Sequence, residues 1–303
     1  MKSILQTKQW ADFKASQGFE ILKLGEIFVH KRKLPFGQNF LYLPEVDSDN
    51  ITPIQIDELK KLTREQGSIF ARLEFINRFS QNSHKLILSF GLRQSFEQVQ
   101  PKWRQFVDLT KTSGEIISQM KQKGRYNVKL AERKGVNIER GTSEDLVKAF
   151  NKMYGETVAR ESITGRSLGY FGAMVDKFSD TPFILIYTAR HRSETIAAAL
   201  ISFYGGVATY LYGGSSRRHK EVMAPYLMHW QIIKDAKEKN CQIYDLHGRA
   251  RPEDEKSSWA GITRFKEQFG GEAVELLGSY DYVNKSIYYQ IFKIAEKMRR
   301  KEH

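Results

Sequence analysis

Two apolar periodicities alternate along the chain. Short apolar runs over 26–33, 39–43, 69–75 and 85–90 predict strands in the first hundred residues. Between them the spacing predicts a short helix over 10–16 and another over 57–65, where Leu59 and Leu62 share a face. Pro53, Pro101 and the polar stretch 98–104 punctuate the end of this half, and a helix is predicted over 113–134, opened by Thr112 and Ser113 as caps. The second half repeats the logic. A strand over 136–139 and a helix over 143–160 precede strands over 183–189, 195–204 and 207–212, the last two hinged on Gly205 and Gly206. A helix over 224–238 and a strand over 242–246 follow, and the tail from 283 reads as a basic amphipathic helix ending MRRKEH.

Alternation of this kind predicts an α/β (α+β) chain. The order in the second half looks like a GNAT-type acyltransferase domain, so the expectation is two GNAT-like domains of mixed sheets flanked by helices. Their expected bounds are 1–105, joined by a C-terminal helix over 281–303, and 106–280.

Composition adds a partner. The chain has 303 residues, 41% of them hydrophobic, enough for full cores; its 48 Lys and Arg against 35 Asp and Glu leave a charge of +13. That excess points to a polyanion or an anionic surface: nucleic acid, nucleotide phosphates or anionic lipid. The single Cys241 permits no internal disulfide and no cysteine zinc cluster, so a reducing, cytoplasmic setting is expected, with no metal and no cofactor. The first twenty residues lack the apolar stretch of a signal peptide, and no segment reaches the roughly 20 apolar residues of a spanning helix, which leaves peripheral contact with the inner membrane face. Nothing in the sequence demands more than a monomer.

Within 121–140 seven basic residues stand against Glu132 and Glu139. Lys121, Arg125 and Lys129 recur at every fourth position and would form one cationic stripe suited to a phosphate backbone. A solvated helix face is the alternative for any one of them. The GNAT fold normally wraps a pyrophosphate with a glycine-rich turn at a helix N-terminus. Here the turn reads SSRRHKEVMAPYL, without glycine, so acetyl-CoA is not the expected donor.

The most informative stretch is YDLHGRARPEDEKSSWAGITRFKEQFGGE, from Tyr244. It closely resembles the Fem family (FemA, FemB, FemX), whose members carry a D-[LF]-x-G strand end followed by G-[IL]-x-x-F-K-x-x-F-G-G. QPKWRQFVDL, GRYNVKLAERKGV, MYGETVARESITGRSLGYF and LYGGSS resemble further family segments, and together they span roughly 71–280. The family moves an amino acid from aminoacyl-tRNA to the amine of the stem peptide's third residue in a peptidoglycan precursor, either lipid II or UDP-MurNAc-pentapeptide. The resemblance implies that Lys266 stabilises the developing oxyanion and that the Phe265 carbonyl orients the attacking amine. It implies acceptor contacts at Arg166, Tyr170 and Tyr212, and tRNA as the partner of Lys121, Arg125 and Lys129. Lys31 and Lys33, in HKRKLPFG, are candidate contacts to the acceptor's pyrophosphate.

Two departures bear on the acceptor. YLPEVD (42–47) stands where members show Y-x-P-R-G-P, and Trp103 stands at a usual threonine. No heptad-patterned arm interrupts the second domain, as in the compact FemX type. Trp259 and Phe269 read as core residues, and His247 and Asp245 as structural ones. Two other readings stay open: tRNA-dependent N-acylation of another small molecule or protein, and a non-catalytic basic tRNA-binding module.

Overall fold

The computed structural model describes residues 1–161 and 164–301. Two compact units divide the chain, one made of 1–102 with 275–303 and the other of 103–274. The first unit opens with α1 (Lys8–Ser16), β1 (Glu20–Leu24), β2 (Ile27–Lys33) and β3 (Asn39–Val46). It continues through α2 (Pro53–Glu65), β4 (Phe70–Arg78), α3 (Gln81–Ser89) and β5 (Arg93–Gln94). The second unit runs β6 (Trp103–Asp108), α4 (Ser113–Gln119), α5 (Gln122–Arg133), β7 (Asn137–Gly141), α6 (Glu144–Glu161) and α7 (Leu168–Lys177). Then come β8 (Ile184–His191), β9 (Glu194–Tyr204), β10 (Val207–Ser215), α8 (Ala224–Glu238), β11 (Ile243–Gly248) and α9 (Ala260–Lys266). β12 (Glu272–Val283) and α10 (Ser286–Lys301) return the chain to the first unit.

In the first unit the strands pair in the order β1-β2-β3-β4-β12, with β5 also on β12; only β3 and β4 run parallel. In the second the order is β6-β11-β10-β9-β8-β7, and only β10 and β11 run parallel. β9 is buried at eight consecutive positions from Ile196 to Phe203. Such a continuous apolar run is what a strand covered on both faces requires. α6 and α8 both lie against it. Mixed sheets flanked by helices are the α/β (α+β) class expected.

Two expectations are corrected. The apolar run at 85–90 is not a strand but the end of α3, whose N-cap Ser80 accepts from the Ser83 amide. The helix over 113–134 is two helices: Met120 and Lys121 take extended ψ values of 147° and 149°, and the Arg125 guanidinium donates back to the Ser118 and Met120 carbonyls that end α4. In the glycine-free turn His219 (φ 53°) and Met223 (φ 58°) take left-handed backbone.

Candidate functional site

β10 and β11 pair only over Val207–Thr209 and Ile243–Asp245, although β10 continues to Ser215 and β11 to Gly248. Each then follows its antiparallel neighbour, and each carries a bulge. β10 slips by one residue against β9 between Tyr210 and Tyr212, and β11 slips against β6 between Asp245 and Gly248, with His247 left-handed at φ 64°. Two parallel strands thus part in mid-sheet, and the candidate site is built at the fork.

Lys266, the last residue of α9, is 5% exposed and donates from Nζ to the Gly248 carbonyl at the end of β11. The Ala250 amide bonds the Thr263 hydroxyl at 2.8 Å, a second tie between that strand end and α9. The ammonium sits 5.9 Å from the Tyr210 ring centroid. Tyr210 stacks edge-on against His229 at 4.8 Å, and His229 Nδ1 lies 2.7 Å from the Tyr244 hydroxyl. Burial lowers the Lys266 pKa to about 8; Asp245 opposes this, while Arg104 and Arg249 add to the lowering. Burial, with Lys266 nearby, takes His229 to about 3, so that ring is neutral. Asp245 is already engaged, accepting from Arg104 at 2.9 Å and from the His247 amide at 2.7 Å.

The motif glycines are packing devices. A Cβ at Gly271 would lie 1.9 Å from the Phe106 carbonyl oxygen on β6, and one at Gly213 would lie 2.0 Å from the Tyr210 hydroxyl. Only a bare backbone lets the segment after α9 cross β6, and lets Tyr210 lie flat along β10.

The Phe265 carbonyl is in the last turn of α9, facing the Glu267 amide, and its ring packs on Tyr226, His229 and Phe269. Arg166, Tyr170 and Tyr212 come together. The guanidinium lies 5.1 Å from the Tyr170 ring and the two tyrosine hydroxyls are 3.4 Å apart, in an aromatic group with Tyr154 and Phe171. Burial raises the Tyr170 hydroxyl above its ordinary range, keeping it a neutral donor. Lys31 and Lys33 stand in the first unit, lining a pocket of about 550 Å³ with Arg32, Phe292 and Arg299. Lys31 is held by Gln66 at 2.9 Å and Glu20 at 3.3 Å. The diverged YLPEVD segment belongs to β3 up to Val46, and there Tyr42 is buried and gives its hydroxyl to the buried Glu74.

Two of the three residues of the cationic stripe are engaged within the unit. Lys121, the N-cap of α5, is exposed and pairs with Glu267 at 2.7 Å, Arg125 is half-buried and donates to α4, and Lys129 is exposed. The exposed residues of α5 are Gln122, Lys123, Tyr126, Lys129, Glu132 and Arg133, three of them basic against one acid. Trp259, expected in the core, is 44% exposed, whereas Phe269 is fully buried. Tyr210 and His229 escaped the sequence reading. His229 had one signal, a polar residue within the apolar run YLMHWQII of α8.

No helix among the described residues is long and apolar enough to cross a membrane. A family model described as "FemAB family" matches residues 51–194 and 186–297. A lipid II:glycine glycyltransferase of Staphylococcus epidermidis is 20% identical, the match covering 98% of this chain and 92% of that protein. Among solved structures, FemX superposes with a TM-score of 0.85 at 18% identity, covering 95% of this chain and 94% of that one. A tandem GNAT protein from clavulanic acid biosynthesis superposes at 0.51 with 9% identity, covering 91% and 94%, which supports the GNAT-like architecture.

Proposed function

The chain belongs to the FemAB family, and from that premise we propose that it transfers an amino acid from aminoacyl-tRNA to the stem-peptide amine of a peptidoglycan precursor. The third residue of the stem supplies the amine, and the precursor is lipid-linked, as the names of the curated relatives indicate for those proteins.

The observation that carries the reading is the buried Lys266 ammonium at the fork of β10 and β11. An aminoacyl ester is already activated, so the enzyme has to position the two substrates and stabilise charge. The amine nitrogen attacks the ester carbonyl carbon, and negative charge gathers on the carbonyl oxygen. Lys266, with a pKa near 8, is mostly protonated at neutral pH and keeps N–H donors beyond the one given to Gly248. The Phe265 carbonyl accepts from the attacking amine. Collapse of the oxyanion forms the C–N bond and breaks the C–O bond to the tRNA ribose, whose oxygen takes the proton shed by the amine. Arg166, Tyr170 and Tyr212 hold the acceptor, and the exposed face of α5 meets tRNA phosphates.

The test is to incubate the protein with a mixture of charged tRNAs and lipid II, follow the mass of the acceptor, and run Lys266→Ala beside it. The expected result is a gain of one amino acid residue, reduced by about 10²-fold or more in the variant. No gain with either lipid II or UDP-MurNAc-pentapeptide, the protein being folded, would refute the reading.

A further inference from the structure

The C-terminal helix α10 has two apolar faces. The inner one packs Tyr289 and Phe292 into a cluster with Phe40, Phe70 and Phe96. The outer one carries Ile287, Ile291, Ile294 and Met298, which are 76%, 57%, 60% and 61% exposed. Their spacing of four, three and four residues puts all four on one stripe of the helix. A soluble helix normally gives this face to polar residues, so the stripe needs an occupant.

A second apolar group stands beside it. The loop joining β2 to β3 presents Phe36 at 98% exposure, with left-handed backbone at φ 57°. That conformation disfavours a bulky side chain, and the exposed ring gains nothing from the protein that would offset it. Leu34, two residues earlier, packs in the same cluster as Phe292 of α10, and Leu34 and Lys33 line one pocket with Phe292 and Arg299. Hairpin tip and helix therefore belong to one neighbourhood of the first unit.

Charge selects the occupant. Residues 285–301 contain six basic residues against Glu296 alone, and Lys297 and Arg299 adjoin Met298 of the stripe. A second copy would bring the same cations against these and offer only four aliphatic side chains and Phe36, short of the area a stable dimer buries. Anionic lipid meets both demands: its headgroups neutralise the lysines and arginines, and its acyl boundary takes the isoleucines, the methionine and Phe36. We infer that α10 and the Phe36 hairpin form a docking surface for an anionic bilayer. This stands on the exposed stripe and its charge, apart from the identity of the acceptor.

The experiment is sedimentation of the full chain with phosphatidylcholine vesicles, with and without phosphatidylglycerol. Wild type should bind the anionic vesicles only, and lose binding as salt rises. Ile291→Gln with Ile294→Gln should lower partitioning by about tenfold or more, and Phe36→Ser by a smaller factor. Neither change should alter the melting temperature or transfer onto a water-soluble acceptor, because these side chains lie outside the core and the fork. Failure of wild type to bind, or equal binding by the double variant, overturns the inference. So does a shift from dimer to monomer in the double variant with vesicle binding intact, which would assign the stripe to a second copy. Vesicle binding uses no tRNA and no acceptor, so it fails or succeeds independently of the transfer reaction.

Discussion

Arg72 in the first unit and Lys266 in the second are both buried cations, compensated in opposite ways. In the first, Arg72 is fully buried and bonded to anions. Asp281 receives two of its bonds at 2.7 and 2.8 Å, Glu97 takes another, and Tyr289 donates to Asp281 at 2.7 Å. Burial works against the guanidinium, but these carboxylates outweigh it and hold the pKa above its ordinary value. In the second, Lys266 is as deeply placed but has a neutral carbonyl as its acceptor, and its pKa falls. The carboxylate that acts on it, Asp245, is bonded to Arg104. A buried cation whose bonds go to carboxylates is architecture. One bonded to a neutral carbonyl, at a fork between strands, is available to a transient anion.

Substitution should separate the two most sharply. Arg72→Met strands two buried carboxylates and should cost about 3–5 kcal/mol in denaturant unfolding. Lys266→Met removes an incompletely compensated ammonium and should leave stability unchanged or raised while abolishing transfer. If both variants lose stability alike, Lys266 is structural too.

The pH dependence comes next. Folding lowers the Lys266 pKa from 10.5 to about 8, so the folded state binds this proton less tightly than the unfolded one. Its cost to stability is therefore complete below about 8 and is relieved as pH rises toward 10.5, a trend that Lys266→Met should lack. Transfer should fall along an alkaline limb near 8. In Lys266→Arg any remaining activity should keep no such limb, since arginine stays charged beyond about 12.

Smaller effects are expected outside the fork. Arg166→Ala should raise the KM for the acceptor by about tenfold with little change in kcat. Lys129→Ala should weaken charged-tRNA binding by a few-fold and reduce its salt slope by about one. A collapse of kcat in Arg166→Ala would move that residue from holding the acceptor to the chemistry.

Much of this was legible before the fold. Lys266 could be singled out because its segment was recognisable, but its burial was not, because a lysine between Phe265 and Glu267 reads as helix surface. The strands over 195–204 and 207–212 and the helix over 224–238 were plain from their periodicity, and the structure has them as β9, β10 and α8. Residues 85–90 misled because Leu86, Ile87 and Leu88 look like a buried strand, yet only Ile87 is buried. Trp259 misled similarly, as a large apolar side chain left at the surface. Bulges and a parting of parallel strands leave no periodic signature, so the fork itself could not be read. Nor could the fate of Lys121 and Arg125, because a cationic stripe looks the same whether its charges are free or engaged.

The pairing of β4 with β12 joins residues about two hundred positions apart, Arg72 facing Asp281 in the register. A chain made from its N-terminus presents 1–102 first, yet β12 and α10 emerge last. During synthesis the second unit has all of its residues while the first still lacks a strand and a helix. Until then Arg72 has no Asp281, and the open edge of β4 is a template for any other strand. The half of the protein that begins the sequence is thus the half that finishes folding, and it is the one most exposed to chaperones and to aggregation on the ribosome.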